Sequence, residues 1–351
     1  MMHGIRLALA GVLAAGAVLA AGPSAGAVDG PAPAVKIVAS AWSQDGWIAK
    51  ATCPSGYGLV GGGQDANLYV NATFKTVVDS VEANGPAPDS ANTWMVQASR
   101  GQARAFAVCA QGAPVPTVVA SDWSQAGWIA KATCPAGQRL IGGGRDTRLE
   151  TLINGDVNDD IELNAPDATV SDTWSAQAKK GQARAMALCA AGAPALTIVA
   201  SDWSQAGWIA KATCPSGYGL VGGGQDARIG TNFTGALSDG VEANGPAPDS
   251  ANTWMVQAKS GQTRAYAMCA QGAPVPTVVA SDWSQKGQVA RATCPQGTQI
   301  AGGGRDSRLG LDGFGAIDDE IELDAPDPQN ANSWTTRSHI GQSRALVMCR
   351  A

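Results

Sequence analysis

The stretch "ASDWSQAGWIAKATCP", Ala120 to Pro135, returns unchanged from Ala200 to Pro215. It also runs from Ala39 as "ASAWSQDGWIAKATCP" and from Ala280 as "ASDWSQKGQVARATCP". Outward from this phrase the whole chain repeats. The first cysteines are Cys53, Cys134, Cys214 and Cys294, and the second are Cys109, Cys189, Cys269 and Cys349. Such a fixed period marks copies of one structural unit, so it is read before any secondary structure. The modules run over 34–112, 113–192, 193–272 and 273–351, with "GAP" at Gly112, Gly192 and Gly272 marking the joints. Module 1 has one extra residue between Asp65 and Asp79, which makes that interval a loop, where insertions are tolerated. The joints are short, so neighbouring modules should touch.

The copies alternate. Modules 1 and 3 share "SGYGLVGGGQDA", whereas modules 2 and 4 share "GGGRD" and "IEL" before an Asn/Asp-Ala-Pro-Asp stretch. A duplicated two-module unit, packed through unlike faces, accounts for that pattern.

Each module reads as β. Runs such as "GWIAKATC", "GLVGGG", "TWMVQAKS" and "ARAFAVCA" are separated by Gly, Pro, Asn and Asp clusters, and no window holds a helical period. Alternation puts Ala105, Ala107 and Cys109 on one face of a strand and Phe106 and Val108 on the other. Trp94, Val96 and Ala98 likewise share a face. The expected fold is all-β: four tandem small antiparallel β-sandwich modules of roughly six to eight strands, with one disulfide each.

The repeat selects the disulfides: Cys53–Cys109, Cys134–Cys189, Cys214–Cys269 and Cys294–Cys349. Closing a loop of this length stabilises a module by about 4 kcal/mol in the chain-entropy model. Eight cysteines, even in number and without a CxxC, suit an oxidising compartment. Residues 1–27 agree: Arg6, an apolar Leu7–Ala21 stretch and Ala25-Gly26-Ala27 have the form of a secretory signal peptide. The protein is therefore expected to be secreted and extracellular, with no membrane insertion.

The formal charge is −5, and removing residues 1–27 takes away Arg6 and no acid, giving −6. No basic stripe exists to displace phosphate counterions, so nucleic acid is not an expected partner. His339 is the one histidine outside the leader, which leaves no partner set for a His-based metal site or a Ser-His-Asp triad. No cofactor and no metal are expected.

The module pattern "W…ATCP.G..L.GGG…W…GQ.RA.A.CA" resembles repeat modules of secreted actinobacterial proteins with a CPxGxxLxGGG signature. The resemblance covers nearly all of the mature chain. It implies export, β structure and disulfides, and it implies no catalytic residues.

Tryptophan is the dominant aromatic, at eleven copies. Trp94, Trp174, Trp254 and Trp334 read as core, with an indole lying over the "GGG" of each module. Trp42, Trp123, Trp203 and Trp283 are also filled in every module. The third position, Trp47, Trp128 and Trp208, becomes Gln288 in module 4. Trp42 and Trp47 flank a four-residue turn, and as a hairpin they would form a cross-strand pair. Alternation with Ala49, Ala51 and Cys53 places Trp47 inward, yet a Gln in its place suits a half-covered position at an open end. Two readings follow. One is a sugar platform, with Trp47, Trp128 and Trp208 as flat π-faces and Gln44, Gln125 and Gln205 as hydrogen-bonding neighbours. The other is a clasp that only closes the hairpin.

Further constants are Gln102-Arg104, Asp65, Asp79 and Glu82 and their copies. An Arg–carboxylate bridge between neighbouring strands is the plain reading, and a Ca²⁺ site or a ligand-binding carboxylate/guanidinium group is the functional one. An Asp/Glu pair also suits a glycosidase. Four small near-identical modules favour binding, which gains from repetition through effective concentration. Asn71-Ala72-Thr73 and Asn232-Phe233-Thr234 are glycosylation sequons. The sequence thus predicts a non-enzymatic multivalent binder of surface or cell-wall carbohydrate. The alternatives are an extracellular scaffold docking another secreted protein, or an inhibitor of an extracellular enzyme acting through the Asp65–Asp79 loop.

Overall fold

The computed structural model describes residues 34–71, 77–231, 237–310 and 319–351. Residues 1–27, read as the leader, and most of both sequons lie outside the described residues. Ala32–Ala351 is one compact unit.

Among the described residues every regular element is a strand, six per module. In module 1 these are β1 (Val35–Ala39), β2 (Ala49–Thr52), β3 (Tyr57–Asn67), β4 (Val81–Pro86), β5 (Thr93–Ala98) and β6 (Gln102–Gln111). Their faces follow the alternation in the sequence. Ala49, Ala51, Trp94, Val96, Ala98, Ala103, Ala105 and Ala107 converge with Cys53 and Cys109 in one core. Met95 and Phe106 point the other way, into separate clusters. The four disulfides form as the repeat requires. A core this rich in alanine buries little apolar area per residue, so each cross-link carries a large share of its module's stability.

The modules are not self-contained. Strands β1, β6 and β3 form a three-stranded half-sheet, and β4, β5 and β2 form another. The two halves of a module face each other across the disulfide, but neither is complete. The β4 strand of module 1 pairs with Gln138–Arg148, the β3 equivalent of module 2, and the same junction joins module 2 to 3 and module 3 to 4. The last junction returns to the start: Ile321–Pro326 of module 4 pairs with β3 of module 1, Leu323 opposite Asp65 and Asp324 opposite Gln64. Four six-stranded sheets therefore close a ring, a four-bladed arrangement like a β-propeller. This corrects the expectation of tandem, self-sufficient sandwiches. Neighbours share sheets, and all four junctions join unlike halves, so the two-module pair is not structurally distinct.

Strand β4 is the element that sequence reading misses. "VEANGP" contains Asn, Gly and Pro and reads as a turn. It becomes a strand because β5 flanks it on one side and the neighbouring module on the other, and this tertiary pairing overrides its weak β propensity. Asn84 on this strand accepts the indole N–H of Trp94 at 2.8 Å, which satisfies a buried donor.

The three glycines of "GGG" have separate jobs. A Cβ at Gly61 would meet nothing within 4 Å, because that position borders a space on the ring axis. A Cβ at Gly62 would fall inside the indole of Trp94. A Cβ at Gly63 would strike the backbone of Asp324 and Ala325 in module 4. The second glycine seats the core tryptophan, as expected, and the third lets two modules approach backbone to backbone.

Candidate functional site

The repeated tryptophan phrase does not form a hairpin. β1 pairs with β6 and β2 pairs with β5, so the segment between them crosses from one sheet to another at the outer edges of both. Trp42 and Trp47 are thus not a cross-strand pair, and the clasp reading loses its geometry. Backbone bonds fix the crossing: Ser43 N–H to Ala103 O at 2.8 Å, Gly46 N–H to Gly101 O at 2.8 Å and Trp47 N–H to Gln44 O at 3.0 Å. Gln97 Nε2 also donates to Gly46 O at 2.9 Å. Gly46 has φ of 71°, the left-handed conformation that suits glycine at this turn.

On this fixed backbone the third tryptophan points outward. Trp47, Trp128 and Trp208 are 67%, 66% and 66% exposed, and Ile48, Ile129 and Ile209 beside them are exposed as well. The inward placement drawn from alternation is corrected: alternation starts only at Ala49, where β2 begins, and Trp47 still belongs to the turn. Gln44, Gln125 and Gln205 are also exposed. In each case the glutamine carbonyl accepts the N–H of the tryptophan three residues on, so the two side chains leave one turn together.

The polar constants are structural. Arg184 Nη2 meets Asp146 Oδ2 at 2.5 Å across paired strands, as Arg264 meets Asp226 and Arg344 meets Asp306. In module 1 the pairing changes: Asp65 is engaged by Arg337 of module 4 at 3.3 Å. Asp79 accepts four backbone N–H groups, from Tyr69, Ser80, Arg100 and Gly101, and so clamps a loop. Glu82 accepts the backbone N–H of Leu149 in module 2 at 3.2 Å and so ties two modules. Asp79 and Glu82 thus make separate backbone contacts, and burial raises the Glu82 carboxyl to about 7. His339 is held by Glu322 at 2.9 Å. Among the described residues no group of three or more His, Cys, Asp or Glu side chains is placed to hold a metal ion, and no helix is long and apolar enough to cross a membrane.

Sequence reading missed a polar cavity of about 350 Å³ on the ring axis. The residue after "GGG" lines it in every module: Gln64, Arg145, Gln225 and Arg305. Each donates to a backbone carbonyl of the preceding module, Ile321, Val81, Ile161 and Val241 respectively. The alternation of "GGGQD" with "GGGRD" was the signal. It places two guanidinium groups in opposite modules, and the same two modules contribute Asp160 and Glu320 where the others have Ser80 and Gly240. Arg305 is paired with Asp324 at 2.9 Å, while module 2 has Asn164 in the place of Asp324. Desolvation lowers Arg145 to about 10, with Arg305 opposing its charge and Asp160 supporting it. Burial raises Asp160 to about 7, and burial together with the facing Asp160 carboxylate raises Glu320.

A raised carboxyl in the folded state means that stability is full below the unfolded value of 3.8 and is lost as pH rises through the folded value of about 7. Asp160→Asn keeps the acceptor for the Ile161 N–H and removes the buried charge. The variant is therefore expected to melt above the wild type at pH about 8, with the difference vanishing below pH about 4. Thermal melts across that range check it, and equal melting at every pH would show Asp160 fully solvated.

No protein-family model matches the sequence, and no curated protein matches it significantly.

Proposed function

We propose that the chain is a secreted, multivalent, non-enzymatic protein that binds a surface glycan or cell-wall polysaccharide. In this reading each module is a small two-layered sandwich carrying one turn, and modules 1 to 3 bear the sites. The observation that carries it is the equivalent exposure of Trp47, Trp128 and Trp208 on turns whose backbone is pinned. An exposed indole leaves an apolar face in water without a packing role. A pyranose C–H face covers it, and Gln44, Gln125 and Gln205 supply amides for the sugar hydroxyls. Carrying three such platforms on one ring raises effective concentration on a repetitive surface. Export fits the four disulfides, which persist in oxidising compartments.

The test is retention of residues 28–351 on insoluble polysaccharide and whole cell walls, followed by a glycan array. The triple variant Trp47/Trp128/Trp208→Ala is expected to lose retention. Its melting temperature should stay near the wild-type value, because surface substitutions remote from packing cost within about 0.5 kcal/mol. Unchanged retention in that variant would remove the platform reading. The exposed isoleucines beside the tryptophans favour a second reading, a partner protein docking on an apolar Trp-Ile patch. Retention on no surface, by a folded and oxidised protein, would move the function there.

A further inference from the structure

The second tryptophan position differs among modules in a way that the glycan reading does not use. In modules 2, 3 and 4 a guanidinium covers the ring. Arg148 lies 4.0 Å from the Trp123 centroid, Arg228 4.0 Å from Trp203 and Arg308 4.1 Å from Trp283. Arg184, Arg264 and Arg344 approach the same rings at 5.1, 5.0 and 5.1 Å. The covering arginine also donates to the glutamine that faces it across the sheet: Arg148 Nη1 to Gln182 Oε1 at 3.4 Å and Arg228 Nη1 to Gln262 Oε1 at 3.1 Å. An indole face is thus a guanidinium seat in three modules, and in two of them the facing glutamine oxygen accepts from the same arginine.

Module 1 keeps the seat and lacks the occupant. Asn67 stands where the arginine would be, opposite Gln102 in the same register. Arg104 does not compensate. Its Nε donates to Ser40 O at 3.1 Å, and its guanidinium lies over Phe106 at 5.2 Å. Among the described residues no guanidinium lies over Trp42, which is 38% exposed. Modules 2 to 4 carry an aspartate just before this tryptophan, Asp122, Asp202 and Asp282. Module 1 has Ala41 there and Asp45 in the turn instead, so an exposed carboxylate remains close by in sequence.

We propose that Trp42 and Gln102 form a receptor for an arginine side chain presented by a partner protein. The planar cation stacks on the indole and donates to the Gln102 carbonyl, as Arg148 and Arg228 do within their own modules. The site is separate from Trp47 and stands whether or not that residue binds sugar. A single exposed cation–π contact is weak, so the arginine acts as a specificity anchor inside a larger interface.

The repeat supplies the test. The indole N–H resonance of Trp42, assigned by its loss in Trp42→Phe, is followed during titration of the full chain with acetyl-arginine-amide and an arginine tetrapeptide. The lysine counterparts and a neutral peptide serve as controls. A saturable shift at Trp42 with arginine, stronger than with lysine, is expected. Asn67→Arg should fill the seat in cis and weaken that response by about tenfold or more. Gln102→Met keeps the indole and removes the amide acceptor, so it should weaken the arginine response at Trp42 toward that of lysine. The proposal is overturned by no response at Trp42, by an equal response to lysine, or by an unchanged response in Asn67→Arg. Should Asn67→Arg fail to fold, an unchanged arginine response at Trp42 in Gln102→Met overturns it equally.

Discussion

A fragment of residues 28–192, holding modules 1 and 2 alone, is expected to form a homodimer that rebuilds the four-module ring. As a monomer it would leave two unpaired junction strands: β3 of module 1, which pairs with Ile321–Pro326 of module 4, and Ile161–Pro166 of module 2, which pairs with Tyr218–Arg228 of module 3. Unpaired strand edges with a buried-type face seek partners. The alternation of copies makes the right partner available. Module 2 presents "IELNAP" where module 4 presents "IELDAP", and module 1 presents "YGLVGGGQDAN" where module 3 presents "YGLVGGGQDAR". Module 2 of one copy therefore fits module 1 of the other, and a two-fold axis along the ring closes both junctions at once. Analytical ultracentrifugation should give a dimer of nearly the mass of the mature full chain, which itself stays monomeric. A stable monomeric fragment would show that the junctions contribute little and that each module folds as an independent sandwich. Open-ended polymers would show that the junction angle is not set by the module pair.

How much of this was legible depended on whether the cause was local. The module count, the facing of Trp94, Val96 and Ala98, the disulfides and the indole over glycine follow from period, alternation and spacing, all local quantities. Ring closure does not. Four copies in a row present the same neighbours whether the last one meets the first or ends in solvent, and only the angle per module decides between them. Strand β4 was hidden because its pairing partners lie on β5 and in another module. The turn at Trp47 was misread for a related reason. Two strands joined by four residues look like a hairpin, but here they belong to different sheets, and alternation counted across the turn pointed the tryptophan the wrong way. The axial residues Arg145 and Arg305 were visible as an alternation of arginine with glutamine. Their meaning needed the ring, because only a closed ring brings opposite modules to one axis.

Substituting alanine along a single "GGG" is expected to give a steep and ordered response, with Gly142→Ala near neutral and Gly143→Ala and Gly144→Ala severe. At Gly142 the nearest atom to a new Cβ is Leu188 Cδ2 at 4.0 Å, an ordinary contact at the edge of an axial space, so the change should stay within about 0.5 kcal/mol. At Gly143 the Cβ would fall within the Trp174 indole, with Met186 O at 2.6 Å. The indole has little room to yield. It is buried, its N–H is held by Asn164 Oδ1 at 2.9 Å, and its neighbours are alanines and a disulfide. Overpacking of this kind costs about 1–3 kcal/mol where side chains repack, and more where backbone is the obstacle. Gly144 meets backbone only, the Gly85 Cα and Asn84 O of module 1, so its substitution forces two modules apart. The two severe variants should therefore fail differently. Gly143→Ala lowers the melting temperature of a chain that still sediments as a closed monomer, because the clash is inside one module. Gly144→Ala opens a junction and exposes strand edges, so it should self-associate before it melts. Equal loss at all three positions would mean that the glycines serve only backbone freedom. The differing neighbours of the three side-chain positions, and the absence of a positive φ at any of them in this module, argue for separate steric roles.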